Sequence, residues 1–122
     1  MEGNQISIWV GDTALTATLA DNSSAAALKG MLREKPLTIR MHDYANMEKV
    51  GPIGCTLPTN DEHIRANPCD LILYLGNSFV INYAPNTWSF TRLGRIEDIS
   101  PRDLKTLLGR GDVSVTLEFT DH

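Results

Sequence analysis

Apolar residues occupy every second position in several segments of this chain, and that period of two limits the fold more than any other feature. Between residues 6 and 10, and again between 15 and 19, apolar side chains alternate with polar or aromatic neighbours. This period places one set of side chains on one face of a β-strand. Gly11 and Asp12 separate the two runs, and glycine accepts the positive φ that a two-residue turn requires. The segment is therefore predicted to be a β-hairpin.

Further strands are predicted along the rest of the chain. They cover 37–42, 71–75, 79–83, 88–96 and 113–119. The 71–75 run, LILYL, is apolar almost throughout, which is typical of a strand buried on both faces. Gly76 and Asn77 separate this run from the next and predict a second hairpin.

Two segments carry helix signals instead. Residues 22–34 place four apolar side chains on one helical face, and the Asp21-Asn22-Ser23 run can accept hydrogen bonds from the first unpaired amides. Pro36 ends this helix. Residues 101–108 begin with a proline that directly follows Ser100, and three leucines form one stripe. Both segments are predicted to be short amphipathic helices.

The segment between residues 51 and 68 lacks a clear period. It contains Pro52, Pro58 and Pro68 and a polar run, so it is predicted to be mainly a loop. Residues 53–57 are the one part of it in which a short strand is expected.

The number of strands indicates how they must be arranged. Seven or eight strands in 122 residues leave exposed edges unless the sheet closes on itself, because unpaired edge amides pair with other molecules. We therefore expect a mainly β protein, a closed or nearly closed antiparallel barrel of about eight strands, with the two helices at its ends. A chain of this length fits a single domain spanning 1–122.

Composition excludes several classes of partner. The net charge is −4, and Lys and Arg are scattered singly rather than clustered, so neither nucleic acid nor an acidic membrane surface is an expected partner. No apolar run approaches the roughly 20 residues that span a bilayer. The first residues lack the features of a signal peptide, so a cytoplasmic location is expected, although a leader removed beforehand would leave the same sequence.

Cys55 and Cys69 are predicted to be reduced thiols rather than a disulfide.

Several motifs, taken together, resemble the cyclophilin-like family of small bacterial proteins, some of which are associated with flavodoxins. The motifs are ATLADN at 17–22, RMHDYANMEKVG at 40–51, TLPT at 56–59, CDLILYLGNSFVINY at 69–83, WSFTRLGRIED at 88–98 and LGRGDVSVTLEF at 108–119. The resemblance runs over nearly the whole chain and implies a cyclophilin-type barrel capped by two helices. It also implies an unsettled biochemical role, with a flavodoxin-type redox partner as one alternative.

The chain departs from its relatives at two places. Cys69 stands where relatives commonly have glycine before the Asp-Leu of the buried strand. True cyclophilins carry a Phe-His-Arg run followed by a glycine-rich turn, whereas this chain has Ile39-Arg40-Met41 and lacks that turn. Arg40 is a candidate catalytic residue, because an isomerase needs a hydrogen-bond donor for the prolyl nitrogen. The favoured interpretation is that Arg40 is a solvated or ion-paired residue on a strand.

The segment from Met41 to Gly54 is dense in charged, amide and glycine residues. Asp43 and Glu48 flank a turn and could form a carboxylate pair, but a solvated loop with an Asx-turn at Asp43 or Asn46 is the favoured interpretation. Glu48 and Lys49 could also tie this loop to the barrel. His42, His63 and His122 are far apart, so no metal is expected, and no motif indicates a cofactor.

Aromatic residues complete the candidate site. Tyr74, Tyr83, Trp88 and Phe90 are expected to line an apolar pocket at the barrel mouth or to lie in the core. The predicted ligand-binding residues are Arg40, Asp43, Tyr44, Glu48, Tyr83 and Trp88. The leading hypothesis is a non-catalytic module that binds a peptide segment or small molecule in this groove. The alternatives are a peptidyl-prolyl isomerase and an accessory to a redox partner.

Overall fold

The structure is a computed structural model that describes residues 4–45 and 48–120. Nine strands and two helices are found in these residues. The strands are β1 (Gln5–Val10), β2 (Thr13–Leu19), β3 (Leu37–Tyr44), β4 (Glu48–Pro52), β5 (Glu62–Ala66), β6 (Asp70–Tyr74), β7 (Ser78–Asn82), β8 (Asn86–Ile96) and β9 (Val113–Phe119). The helices are α1 (Ser23–Glu34) and α2 (Pro101–Leu108).

Eight of these strands form a closed antiparallel barrel. Their order is β2-β1-β9-β3-β4-β7-β6-β8, and pairing between β2 and β8 closes the ring. Closure removes the unpaired strand edges, which would otherwise pair with other molecules. The ninth strand, β5, pairs with the first half of β8 and lies outside the ring. The predicted barrel of about eight strands with two short helices is confirmed.

The interior of the barrel forms the main hydrophobic core. Alternate residues of the strands meet there, and both helices add the residues of one face. The side chain of Asn22 caps α1 by accepting a hydrogen bond from the amide of Ala25, and Ser100 caps α2 through the amide of Asp103. Leu104 is among the α2 residues that are buried in this core. The predicted helices and their caps are thus confirmed. Within the described residues, neither helix combines the length and apolar character needed to cross a membrane.

The prediction for residues 51–68 was partly wrong. This region contains the end of β4 and the whole of β5, while residues 53–57, where a short strand was expected, form none. The pattern was misleading because β4 buries two charged residues, Glu48 and Lys49, in place of an apolar pair. The EHIRA run of β5 lies outside the barrel and is mostly exposed, so it needs no alternation.

The two predicted hairpins are present, and their turns differ. Val10 pairs with Thr13 across the expected two-residue turn. In the second hairpin Tyr74 pairs with Ser78, so the turn contains three residues and includes Leu75. Leu75 has a φ of 56°, a left-handed conformation that few side chains adopt.

A second, smaller apolar cluster lies on the outer face of the barrel, and we call it the outer cluster. Its buried members are Ala66, Ile72, Val80 and Phe90. Ile72 belongs to this cluster while its neighbours Leu71 and Leu73 belong to the barrel core, which confirms that the LILYL strand is buried on both faces. The cluster exists because β5 and the first half of β8 cover part of the outer surface.

Candidate functional site

A groove of about 360 Å³ adjoins the outer cluster, and we call it the aromatic groove. Its lining residues are Tyr44, Glu48, Val50, Tyr74, Asn86, Trp88 and Phe90. Val50, Tyr74 and Phe90 pack against or belong to the outer cluster. The groove therefore has an apolar floor, contributed by β4, β6 and β8.

Aromatic side chains form the sides of this groove. Tyr44 and Trp88 are each 58% exposed, which is unusual for side chains of this size. Tyr74 and Phe90 are in edge contact, with ring centroids 6.3 Å apart and ring planes inclined by 61°. Such rings offer a large contact area and lose little conformational entropy on binding a ligand.

Glu48 is the buried acid of the aromatic groove. It is only 7% exposed, and no donor in the described residues hydrogen-bonds to its Oε1 atom. Burial raises the pKa of Glu48, while a hydrogen bond from the Asn86 side chain opposes that rise. A buried carboxylate oxygen without a partner is uncommon in native proteins, because its lost hydration is not replaced.

Asn82 lies directly opposite Glu48 in the β4–β7 pair. Residues directly opposite each other in an antiparallel pair project from the same face, so the amide of Asn82 is on the Glu48 side of the sheet. Asn82 is fully buried, and neither its Oδ1 nor its Nδ2 atom has a hydrogen-bond partner in the described residues. Two neighbouring buried polar groups are thus unsatisfied at one end of the groove.

A second cavity, of about 680 Å³, opens at the end of the barrel beside α2. Asp43, Tyr83 and the residues around Gly109 line it. Lys49 reaches this end of the barrel with a fully buried side chain. We call Lys49, Asp43 and Tyr83 the lysine cluster.

The polar groups of the lysine cluster contact one another. The Nζ atom of Lys49 lies 3.3 Å from Asp43 Oδ1 and donates a hydrogen bond of 2.6 Å to the carbonyl of Gly111. The hydroxyl of Tyr83 donates a hydrogen bond to Asp43. Burial raises the pKa of Tyr83, and the charge of Asp43 raises it further. This arrangement joins β3, β4 and the residues after α2, and it resembles a structural link more than a reaction centre.

Comparison with known proteins places the chain in a family. The model of the Cyclophilin-like family matches residues 8–118. The chain belongs to the cyclophilin-like family. No curated protein and no solved structure matches it significantly.

The predicted site residues of this cyclophilin-like protein divide among three places. Tyr44, Glu48 and Trp88 share the aromatic groove. Asp43 and Tyr83 belong to the lysine cluster at the barrel end. The reason is the alternation of strand side chains, which sends Asp43 and Tyr44 to opposite faces of β3.

Arg40 lies in neither cavity. Its side chain is largely exposed, and its Nη2 atom is 4.0 Å from Asp112. Arg40 shares the outer face of β3 with Tyr44, but four residues, about 13 Å of extended strand, separate them. Arg40 is thus a solvent-exposed residue near an acid, and the described lining of the aromatic groove contains no arginine.

Glu48 and Asn86 form the polar end of the groove, and Asn82 is buried beside Glu48. Sequence reasoning missed the two asparagines. A signal was present for Asn82, because it occupies an alternate position of an otherwise apolar strand, FVINY. Asparagine is rarely buried, so an amide at a buried position suggests a function. Asn86 gave no signal, since it lies in a turn-like APN run.

Cys69 has an unusual backbone conformation. Its φ is 79°, in the left-handed region that glycine adopts without a Cβ clash. Its amide donates to Asn82 O, and its carbonyl accepts from the amide of Ile96, so the strained residue links β7 to the end of β8. Cys69 is buried and Cys55 is exposed, and they are not bonded to each other.

The remaining predicted groups do not assemble into a site. Within residues 4–45 and 48–120, no three His, Cys, Asp or Glu side chains are grouped so that they could hold a metal ion. His122 and Asn46 lie outside the described residues. Asp43 hydrogen-bonds to Tyr83 rather than standing in a solvated loop, so that interpretation of Asp43 was wrong.

Proposed function

We propose that this cyclophilin-like protein is a non-catalytic binding module that holds a peptide segment or small molecule in the aromatic groove. The observation that carries the proposal is the pair of exposed rings, Tyr44 and Trp88, at the edge of a groove with an apolar floor. Exposed aromatic side chains beside a concave surface are typical of recognition sites, where they bury a large area when a ligand binds.

The dimensions of the groove fit this proposal. Ligand pockets commonly measure about 300–1,000 Å³, and this groove, at about 360 Å³, is near the lower end. It therefore suits a side chain or a small metabolite rather than a large cofactor. The second cavity is larger, but the groups of the lysine cluster beside it are already paired with one another.

Tryptophan fluorescence provides the test, because the chain has two tryptophans and only Trp88 lines the groove. In a Trp9→Phe background, emission reports on Trp88 alone. We expect members of a library of short acetylated peptides or of a metabolite set to shift this emission and to raise the Tm. Binding to the folded state stabilises it by RT ln(1 + [L]/Kd), about 2.7 kcal/mol at a ligand concentration 100 times Kd.

Trp88→Ala, made in the otherwise wild-type protein, is the decisive variant. We expect calorimetry to show at least tenfold weaker binding of any ligand found, while Trp9→Phe binds as tightly as wild type. A library that gives neither a fluorescence shift nor a Tm increase contradicts the proposal, as does a Trp88→Ala protein with unchanged affinity.

The two alternatives gain no support from the groove. Arg40 is the residue on which prolyl isomerisation depended, and it lies outside the groove. We expect no acceleration of cis-trans isomerisation in a proline-containing tetrapeptide. The redox-accessory alternative rests only on the resemblance to flavodoxin-associated relatives.

A further inference from the structure

The polar end of the aromatic groove is incomplete. Glu48 is more than nine-tenths buried and its Oε1 atom accepts no hydrogen bond from the described residues, although it belongs to the groove lining. The side-chain amide of its neighbour Asn82 is also unpaired, but it is fully buried and does not line the groove. A native protein satisfies nearly all such groups with protein or water partners, so an unsatisfied carboxylate that faces a groove indicates that its partner arrives from outside.

The charge of the groove indicates what that partner is. Among the lining residues in the described chain, Glu48 is the one acid, and no Lys or Arg accompanies it. The faces of Tyr44, Tyr74 and Trp88 carry the negative side of an aromatic quadrupole and attract cations. The acid and the aromatic faces of the groove therefore both favour a positive ligand.

We propose that the groove takes a positively charged N–H donor on a short apolar stem. This inference rests on the binding function proposed above and names its ligand class. The ammonium or guanidinium group donates hydrogen bonds to Glu48, and its stem packs between Tyr44 and Trp88. A lysine or arginine side chain of a peptide and a free alkylamine share this chemistry. Hydrogen bonds from a cation to a carboxylate are about twice as strong as neutral ones.

Four probes test the proposal by calorimetry with the wild-type protein. They are the N-acetyl methylamides of lysine, arginine, norleucine and Nε-trimethyllysine. Norleucine has the stem without the charge, and trimethyllysine has the charge without an N–H. We expect the lysine or the arginine compound to bind at least tenfold more tightly than norleucine. We also expect trimethyllysine to bind more weakly than lysine, because Oε1 of Glu48 needs a donor. Butylamine separates the two sources, since equal affinity for butylamine and the lysine compound indicates a free amine.

Glu48→Gln is the matched variant, because glutamine keeps the shape and loses the charge. We expect it to reduce the affinity for the lysine compound to that for norleucine, while Glu97→Gln, which removes an exposed charge after β8, leaves both affinities unchanged. Circular dichroism checks the fold of each variant. If Glu48→Gln does not fold, the salt dependence of wild-type binding is the test. Raising NaCl from 50 to 500 mM must then weaken binding of the lysine compound but not of the norleucine compound.

The outcomes separate the two proposals. If norleucine binds as tightly as lysine, if trimethyllysine binds as tightly as lysine, or if Glu48→Gln keeps full affinity, the proposal of a positively charged N–H donor is wrong and the binding function stands. The same holds if library ligands bind in a Trp88-dependent way and none of the cationic probes binds. If no ligand of any kind binds, the binding function falls, and the inference falls with it.

Discussion

Glu48 and Lys49 are adjacent in sequence, opposite in charge and both buried, yet their surroundings differ in every other respect. Lys49 projects to the barrel end, where its ammonium group forms an ion pair with Asp43 and donates a hydrogen bond to the Gly111 carbonyl. Glu48 projects to the outer face, where one oxygen has no partner in the described residues. The same strand thus carries a satisfied charge on one face and an unsatisfied charge on the other.

This difference separates residues that stabilise the fold from residues available to a ligand. A buried charge with partners costs stability when either member is removed. A buried charge without partners costs stability while it is present, and proteins retain such groups where they serve a function. Substitutions on the two faces are therefore expected to change stability in opposite directions.

The largest expected effect is on the satisfied face. Lys49→Ala removes the ammonium group that pairs with Asp43 and donates to the Gly111 carbonyl, and it opens a cavity, so we expect a loss of about 3 kcal/mol in the free energy of unfolding. Urea denaturation measures it. Lys105→Ala, which removes an exposed lysine beside the same cavity, is the control and should cost less than about 1 kcal/mol. A loss of similar size in both variants would remove the distinction between the two faces.

Asn82→Leu should have the opposite sign. Leucine has the same branching and number of side-chain heavy atoms and no polar atoms, so replacing a fully buried side-chain amide without partners is expected to raise the free energy of unfolding by about 1–2 kcal/mol. Asn60→Leu is the matched control, because the Asn60 side chain donates to Ser23 and Ser24 and its removal should destabilise the protein. Destabilisation by Asn82→Leu would mean that the amide already has a partner.

Glu48→Gln should stabilise the protein by about 1 kcal/mol at neutral pH, because it removes a buried charge with an unsatisfied oxygen. Burial raises the pKa of Glu48, so the folded state prefers the protonated carboxyl, and ionisation opposes folding as pH rises through the raised pKa. The advantage of the variant should therefore be largest at pH 7 and shrink as pH falls toward 4.5, the ordinary glutamate value. Thermal melts at both pH values measure this. If the extra stability of the variant instead grows as pH falls, the pKa of Glu48 is lowered rather than raised.

An effect no larger than that of Glu48→Gln is expected at Tyr83. Tyr83→Phe removes the hydroxyl that donates to Asp43 and should cost about 1 kcal/mol. Tyr74→Phe, on the groove side, removes a hydroxyl for which the described residues provide no hydrogen bond and should leave stability within about 0.5 kcal/mol of wild type. Equal losses in the two variants would indicate that the groove side is as satisfied as the barrel end.

Much of the fold could be predicted from local patterns. Alternation identified β1, β2, β3 and β9, a continuous apolar run identified β6, and the caps at Asn22 and Ser100 identified the starts of both helices. Strand β5 escaped prediction because it lies outside the barrel and its polar residues satisfy no period. Strand β4 escaped because charged residues occupy its buried positions, where the pattern requires apolar ones.

The candidate site was predicted only in part. Tyr44, Glu48 and Trp88 were expected together and do share the aromatic groove. Asp43 and Tyr83 were expected with them and lie at the barrel end instead. Sequence spacing shows that Asp43 and Tyr44 face opposite ways, but it does not show which of the two faces has an open cavity.

The sequence by itself determined the strands, the helix caps and, through the number of strands, the need for a closed sheet. Those properties follow from local backbone preferences and from the period of side chains along each strand. Only the tertiary structure decided that Glu48 lacks a partner while Lys49 has two. That outcome depends on which strands pair across the barrel and on where β5 and β8 cover its outer face, and both are contacts between residues distant in sequence.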